Sequence, residues 1–290
     1  MRMTAALVLA TLLGFGPVHA QSYPRQTVNI VVPLPPGSIP DMLSRILAEK
    51  LTKSWSTPVV VINRPGAGLN IGARAVATAE PDGYTLLFTA PGPLVSNELL
   101  YANLGYDPKA FVPISVLAHF GFVLVARSDL DVTGLKGLVQ HIRARPGQLF
   151  FGSTGPASPP HLISEMFQKA AGAKLTPVSY PGLTNALNDV LGRRIDLMFY
   201  DVGDALPFIR EGKLKAIGVT EAERVPELPH VPAIGEEFKG FSASSWFALV
   251  APPKTPPEIV DKLSSEVMPI LRDPQVVGVL KKFLMTPMGT

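Results

Sequence analysis

The chain is 290 residues long, sets 26 Lys and Arg against 23 Asp and Glu for a formal charge of +3, and contains no cysteine. The missing thiols exclude a disulfide scaffold, thiolate catalysis and a cysteine metal site. The basic residues are scattered, densest at Arg143-Ala144-Arg145 and Arg193-Arg194, with no stripe interleaved with aromatics, which argues against nucleic-acid binding.

Residues 1–20 read as an export leader. Arg2 supplies the positive start, Ala5 to Phe15 is an apolar run too short to span a bilayer, and Val18-His19-Ala20 has the small-x-small form of a cleavage site. The mature chain is therefore expected to begin at Gln21, outside the cytoplasm, with enough residues for two ordinary α/β lobes. The β-branched run Val28 to Val32 predicts a strand, and further strands are predicted over 58–62, 84–88, 121–126, 149–152, 195–200, 214–219 and 245–250. Between them, apolar spacing predicts helices over 41–53, 69–79, 93–101, 134–144, 161–171, 182–192, 203–211 and 256–271. Pro and Gly do not form a low-complexity tract; pairs such as Pro81-Asp82-Gly83, Pro146-Gly147 and Pro181-Gly182 punctuate this alternation. Strands alternating with helices imply parallel sheets covered on both faces. If the runs near 121–126 and 245–250 both cross between lobes, one lobe comprises 21–122 plus 244–290, the other comprises 123–243, and the crossings form a hinge. Residues 285–290 read as a loop with no terminal helix.

One device occurs twice. Val31-Val32 stops in Pro33-Leu34-Pro35-Pro36-Gly37-Ser38 before a helix opens near Asp41, and Phe150-Phe151 stops in Gly152-Ser153-Thr154-Gly155-Pro156-Ala157-Ser158 before a helix opens near His161. Each brings backbone N–H groups and the positive end of a helix dipole to one point, which suits an anion without any cationic side chain. Asp201 and Asp204 follow the apolar run 195–200, where they could cap a helix or accept from a ligand's amino or hydroxyl group. Tyr180 is a further candidate for the cleft.

Other chemistries find less support. Gly66-Ala67-Gly68 and Gly72 are spaced G-x-G-x-x-x-G, one residue too long for a dinucleotide fingerprint, and Pro65 intrudes. No G-x-S-x-G elbow occurs, although Ser153 and His161 could form an exported hydrolase's nucleophile and base. His19, His119, His141, His161 and His230 include no i, i+4 pair, so no metal site is expected.

Several motifs together resemble one family. They are Val32-Pro33-Leu34-Pro35-Pro36-Gly37 with Asp41, Asn63-Arg64-Pro65-Gly66-Ala67-Gly68, Pro81-Asp82-Gly83-Tyr84-Thr85-Leu86, Tyr106-Asp107-Pro108, Ser153 with Gly155, Ser158 and His161-Leu162, Tyr180-Pro181-Gly182, Gly212-Lys213-Leu214 and Leu228-Pro229-His230-Val231-Pro232. Over nearly all of 22–290 the chain resembles the Bug family, periplasmic solute receptors of tripartite tricarboxylate transporters. The resemblance implies a two-lobe, type II periplasmic-binding-protein fold, an α/β fold whose mostly parallel sheets close around a small carboxylated solute. That solute would be a mono-, di- or tricarboxylate, an amino acid or an aromatic acid. It implies a monomeric, non-catalytic protein without cofactor or metal, delivering its solute to membrane permease subunits or to a sensor. Carried over residue by residue, the ligand contacts would be Leu34, Pro35, Gly37, Ser38 and Asp41 from one lobe. From the other they would be Ser153, Thr154, Gly155, Ser158 and His161, with Tyr180 and Asp201 nearby. Three departures stand out. Ser38 replaces the family's second loop glycine; Pro40, Pro159 and Pro160 remove N–H donors from the two first turns; and the chain ends before the family's usual C-terminal helix.

Overall fold

Val28–Val32, the first strand, carries apolar side chains toward both faces, and both faces are covered, as expected of a strand inside an α/β sheet. The computed structural model describes residues 23–156 and 158–290; the expected leader lies outside them. In chain order the elements are β1 (Val28–Val32), α1 (Ile39–Trp55), β2 (Val59–Asn63), α2 (Asn70–Ala77), β3 (Thr85–Thr89), β4 (Val112–Arg127), α3 (Gly134–Ala144), β5 (Phe150–Ser153), α4 (Pro159–Ala171), β6 (Thr176–Ser179), α5 (Leu183–Leu191), β7 (Leu197–Asp201), α6 (Val202–Arg210), β8 (Leu214–Val219), α7 (Ile234–Glu237), β9 (Ser244–Ala251), α8 (Pro257–Leu271), α9 (Pro274–Lys282) and β10 (Thr286–Pro287).

The main strand order is β2-β1-β3-β9-β4-β7-β5-β6. The triplets β2-β1-β3 and β6-β5-β7 are both parallel, and each comes from the same winding: strand, helix, edge strand, helix, inner strand. An antiparallel strand then flanks each triplet, β9 beside β3 and the second part of β4 beside β7. The 16-residue β4 joins the halves: Val112–Gly121 pairs with β9, and Phe122–Arg127 pairs with β7 and β8.

Alternation along the strands divides the core. Ile30, Phe88, Leu124, Phe151 and Phe199 belong to a central layer continuous through both halves. Their strand neighbours face outward: Val31 and Leu87 meet Ala73 and Val76 of α2, while Val123 and Met198 meet α5 and α6 through Leu187, Val190 and Ala205. The last residues touch both halves. β10 pairs with Ala118 and His119 of β4, and Leu284 packs against the core of the second half.

Three elements differ from the sequence-based expectation. In place of a helix over 93–101 there are two short 3-10 turns, Gly92–Leu94 and Asn97–Leu99. Asn97 is buried there and donates to Gly68 O (2.8 Å) and Asn70 Oδ1 (2.6 Å), and these tertiary bonds override helical periodicity. β6 reads poorly as a strand because it has four residues and contains Pro177, which an edge strand tolerates. α9 was not anticipated at all, although Asp273 caps it by accepting from Gln275 N at 2.9 Å, with Pro274 opening the first turn.

Gly203, in the first turn of α6, lies so close to Phe283 that an added Cβ would collide with the Phe283 backbone. The obstacle is main chain and cannot rotate away. Gly203→Ala should therefore destabilise the fold by about 1–3 kcal/mol in urea unfolding, whereas Gly278→Ala, which meets open space, should not.

Candidate ligand-binding site

In each half the chain leaves the first parallel strand to one side and returns on the other, so the loops after β1 and β3, and after β5 and β7, diverge. Such a divergence at the carboxyl ends of strands is where open α/β sheets bind ligands. The candidate residues 34–41 follow β1, 153–161 follow β5, and Asp201 ends β7. Tyr180 follows the edge strand β6. The equivalent loop after β3, Ala90-Pro91-Gly92, was missed by motif reading; only the topology points to it.

The two helix entries have the same construction. Ser38 is the N-cap of α1 (φ −73°, ψ 159°), and its hydroxyl donates to Pro35 O at 2.8 Å instead of capping the helix. Ser158 is the N-cap of α4 (φ −66°, ψ 145°), and its hydroxyl donates to Gly155 O at 2.7 Å, again without a cap bond. Gly37 (φ +81°) and Gly155 (φ +96°) adopt the left-handed conformation that these tight turns require. Because both serines face back into their loops, neither satisfies the amides of the first helical turn, which have no intrahelical acceptor. Pro40 leaves α1 the amides of Ile39 and Asp41 in that turn; Pro159 and Pro160 leave α4 only that of His161.

Asp41 shapes the first loop. Its buried carboxylate accepts from Gly37 N (2.9 Å), Asn63 Nδ2 (2.9 Å), Arg45 Nε (3.1 Å) and Arg45 Nη2 (2.9 Å). The same Asn63 amide donates to Leu34 O at 3.0 Å. Burial pushes the Asp41 carboxyl up, but Arg45, the Gly37 amide and Asn63 more than offset this and hold it below the usual carboxylate range. Asp41 and the Gly37 amide are thus engaged with each other, and what the loop presents outward is main chain from Leu34 to Ser38.

In the second half, Ser153 is fully buried, and its Oγ accepts from Gly155 N at 3.2 Å. Thr154 is exposed beside it. His161 stacks near Phe151, ring centroids 5.9 Å apart, and its Nδ1 is buried without a partner. No hydrogen bond joins Ser153 to His161 among the described residues. Tyr180 donates to Asp189 Oδ2 at 2.8 Å; burial and this acceptor push its hydroxyl up to about 12. Gly72, offered by sequence as part of a nucleotide loop, packs against Pro33, where a Cβ would approach Pro33 Cβ to 2.8 Å. The glycine there permits helix–strand contact.

The end of β7 is the most polarised part of the site. Asp201 occupies the N-cap position of α6 but makes no cap bond, and its Oδ1 is buried without a partner. Asp204 lies in the same first turn. Burial pushes the Asp201 carboxyl up to about 8, aided by the charge of Asp204, while burial alone pushes Asp204 up to about 6. A broad surface depression of about 610 Å³, lined by Arg143, Glu165, Lys169 and Lys174, lies at the opposite, amino ends of β5 and β6 and shares no residue with this site.

The sequence pattern of the tripartite tricarboxylate transporter family receptor matches residues 43–290. The chain belongs to that family. It is 35% identical over 274 residues to the protein BugT of Bordetella pertussis, covering 93% of this chain and 84% of the relative. Among solved structures it is similar to Rpa4515 of Rhodopseudomonas palustris with adipate, at TM-score 0.85 and 34% identity over 92% of this chain and 90% of the other. It is likewise similar to MatC of R. palustris with bound malate, at TM-score 0.82 and 29% identity over 91% and 90%. The fold is thus the two-lobed α/β fold of periplasmic binding proteins, and the chain is a periplasmic solute-binding receptor of this family.

The raised Asp201 carboxyl has a consequence for stability. The folded state keeps a proton that the unfolded chain releases near its ordinary pKa of about 3.9, so folding stability falls as pH rises from there through about 8. Asp201→Asn, which cannot ionise, should raise Tm by an amount that grows from pH 4 toward pH 8 and levels off above it. A Tm series against pH for both proteins checks this.

Proposed function

We propose that this receptor captures a small carboxylated solute between its lobes and delivers it to membrane permease subunits, without catalysing a reaction on it. The lobes are 21–122 plus 244–290 and 123–243, and the crossings at β4 and β9 form the hinge. The observation that carries this reading is the pair of matched helix entries, at Ser38 and Ser158, each with its cap serine turned away. One carboxylate end of the solute meets main chain from Leu34, Pro35, Gly37 and Ser38 on one side. From the other it meets Ser153, Thr154, Gly155, Ser158 and His161. Asp41 and Tyr180 act behind the surface, Asp41 by holding its loop and Tyr180 by bonding to Asp189. The adipate of Rpa4515 and the malate of MatC support a carboxylated ligand here.

The energies are of the right size. Micromolar affinity corresponds to about 8 kcal/mol. Hydrogen bonds to a charged group contribute about 1.5–3 kcal/mol each, and each helix terminus about 0.3–1 kcal/mol. Four or five such bonds and two dipoles reach this total before ordering costs are subtracted.

Thermal shift with adipate, malate and a neutral sugar tests the proposal. A ligand at a hundred times its dissociation constant should add about 2.7 kcal/mol, or roughly 5–10 °C in Tm. A shift with the sugar and none with any carboxylate would overturn the reading. Asp41→Ala, which releases the first loop, should cost about 1–3 kcal/mol in stability and weaken carboxylate binding at least tenfold by calorimetry.

A further inference from the structure

We propose that Asp201, with Asp204 behind it, is a subsite for the second carboxyl group of a dicarboxylate, which it binds through one shared proton. This rests on the receptor reading above and adds to it a distal end with its own chemistry.

Position comes first. Asp201 is the last residue of β7, at the divergence point of the second half, and stands in register opposite Phe122. Gly121, the next residue of β4, is where that strand passes from one half-sheet to the other. Asp201 therefore lies at the floor of the gap, beyond the helix entries that grip the first carboxylate.

The second observation is its bonding. Asp201 Oδ1 is buried with no partner, and the residue declines the cap bond its position offers. No Arg or Lys forms an ion pair with Asp201 or Asp204 among the described residues. The groups that face the pair are few. Tyr200 of β7 is neutral, its hydroxyl pushed well up by burial and hydrogen-bonded with Thr184 of α5. β4 presents Phe122, and the C-terminal segment presents the Phe283 backbone to Gly203. At the crossing, Glu221 lies against Gly121, pushed up by burial and opposed by His119.

Two buried carboxyls without a cation do not both ionise readily. One then holds a proton and can donate it to a ligand carboxylate, in a short, charge-assisted O–H···O⁻ bond. The adipate and malate bound by the two related receptors each carry two carboxyl groups. In this chain no cation is placed to receive the second one. A shared proton supplies what an arginine would supply elsewhere.

Calorimetric titration of the whole protein with adipate, malate and hexanoate across about pH 6 to 9.5 tests the proposal. The dissociation constant of the tighter dicarboxylate should be level at low pH. It should then rise about tenfold per pH unit once Asp201 ionises, while hexanoate, with one carboxyl, stays level. Titrations in two buffers of different ionisation heat should show uptake of close to one proton per dicarboxylate above pH 8. Asp201→Asn should bind the dicarboxylate a few-fold more weakly at pH 6 and lose the slope; Asp204→Asn should move its onset to lower or higher pH without abolishing it. Level dicarboxylate binding, equal slopes for hexanoate, or a wild-type slope in Asp201→Asn would overturn the proposal and leave the receptor reading standing. Failure of every carboxylate to bind at any pH would remove both. The proton-uptake measurement needs no variant, so a misfolded Asp201→Asn protein does not shield the proposal.

Discussion

A helix that begins without a cap must satisfy its first amides elsewhere, and this protein imposes that condition twice. Ser38 and Ser158 both stand at the N-cap with extended backbone, and both give their hydroxyls to a loop carbonyl three residues back. In a purely structural helix this would be a small defect. Here the defect is matched in both halves, at the same step of the same winding. The prolines that follow preset the helical φ while reducing the number of amides left over. The number of open donors is small, their direction is fixed, and their combined field is positive without a charged side chain.

The rest of the fold serves to hold these two entries toward one another. Each sits after the second strand from an edge, so each is flanked by an edge strand outside and an inner strand inside. The central apolar layer runs through both halves, so the halves share one hydrophobic floor while their outer faces are closed by different helices. Asp41 illustrates the economy of the arrangement. One carboxylate organises Gly37, Asn63 and Arg45, and through Asn63 it also fixes Leu34 O, so the loop's shape is set by side chains that need not touch the solute.

Much of this was legible before any coordinates. The β-branched runs and the Pro/Gly punctuation locate the strands, and a periodic apolar face locates α1, α3, α4 and α8 within a few residues. What failed was local pattern overruled by distant contact. The helix expected near Asn97 is broken because that side chain is committed to Gly68 and Asn70, nearly thirty residues upstream. α9 was passed over although Asp273-Pro274 is a readable start, because Gly278 and the short span weakened its periodicity. At the site, the two anion loops could be found from sequence because glycine, proline and serine cluster there. That Gly37 and Asp41 bond each other could not be read, since it depends on Asn63 and Arg45 converging from different elements. The Ala90-Pro91-Gly92 loop carries no motif, and only strand order brings it to the same edge.

The tail from Phe283 to Pro287 lies against α6 and β4 at the place where the sheet changes hands. Any bending of one half toward the other pivots near this strap, so the strap itself travels little while the tips at Ser38 and Ser158 sweep the widest arc. A swing small enough to leave the tail's ladder bonds intact can still open and shut the mouth. Leverage, then, lets a rigid binding edge coexist with a moving one in a chain whose two halves are bonded along a single unbroken strand.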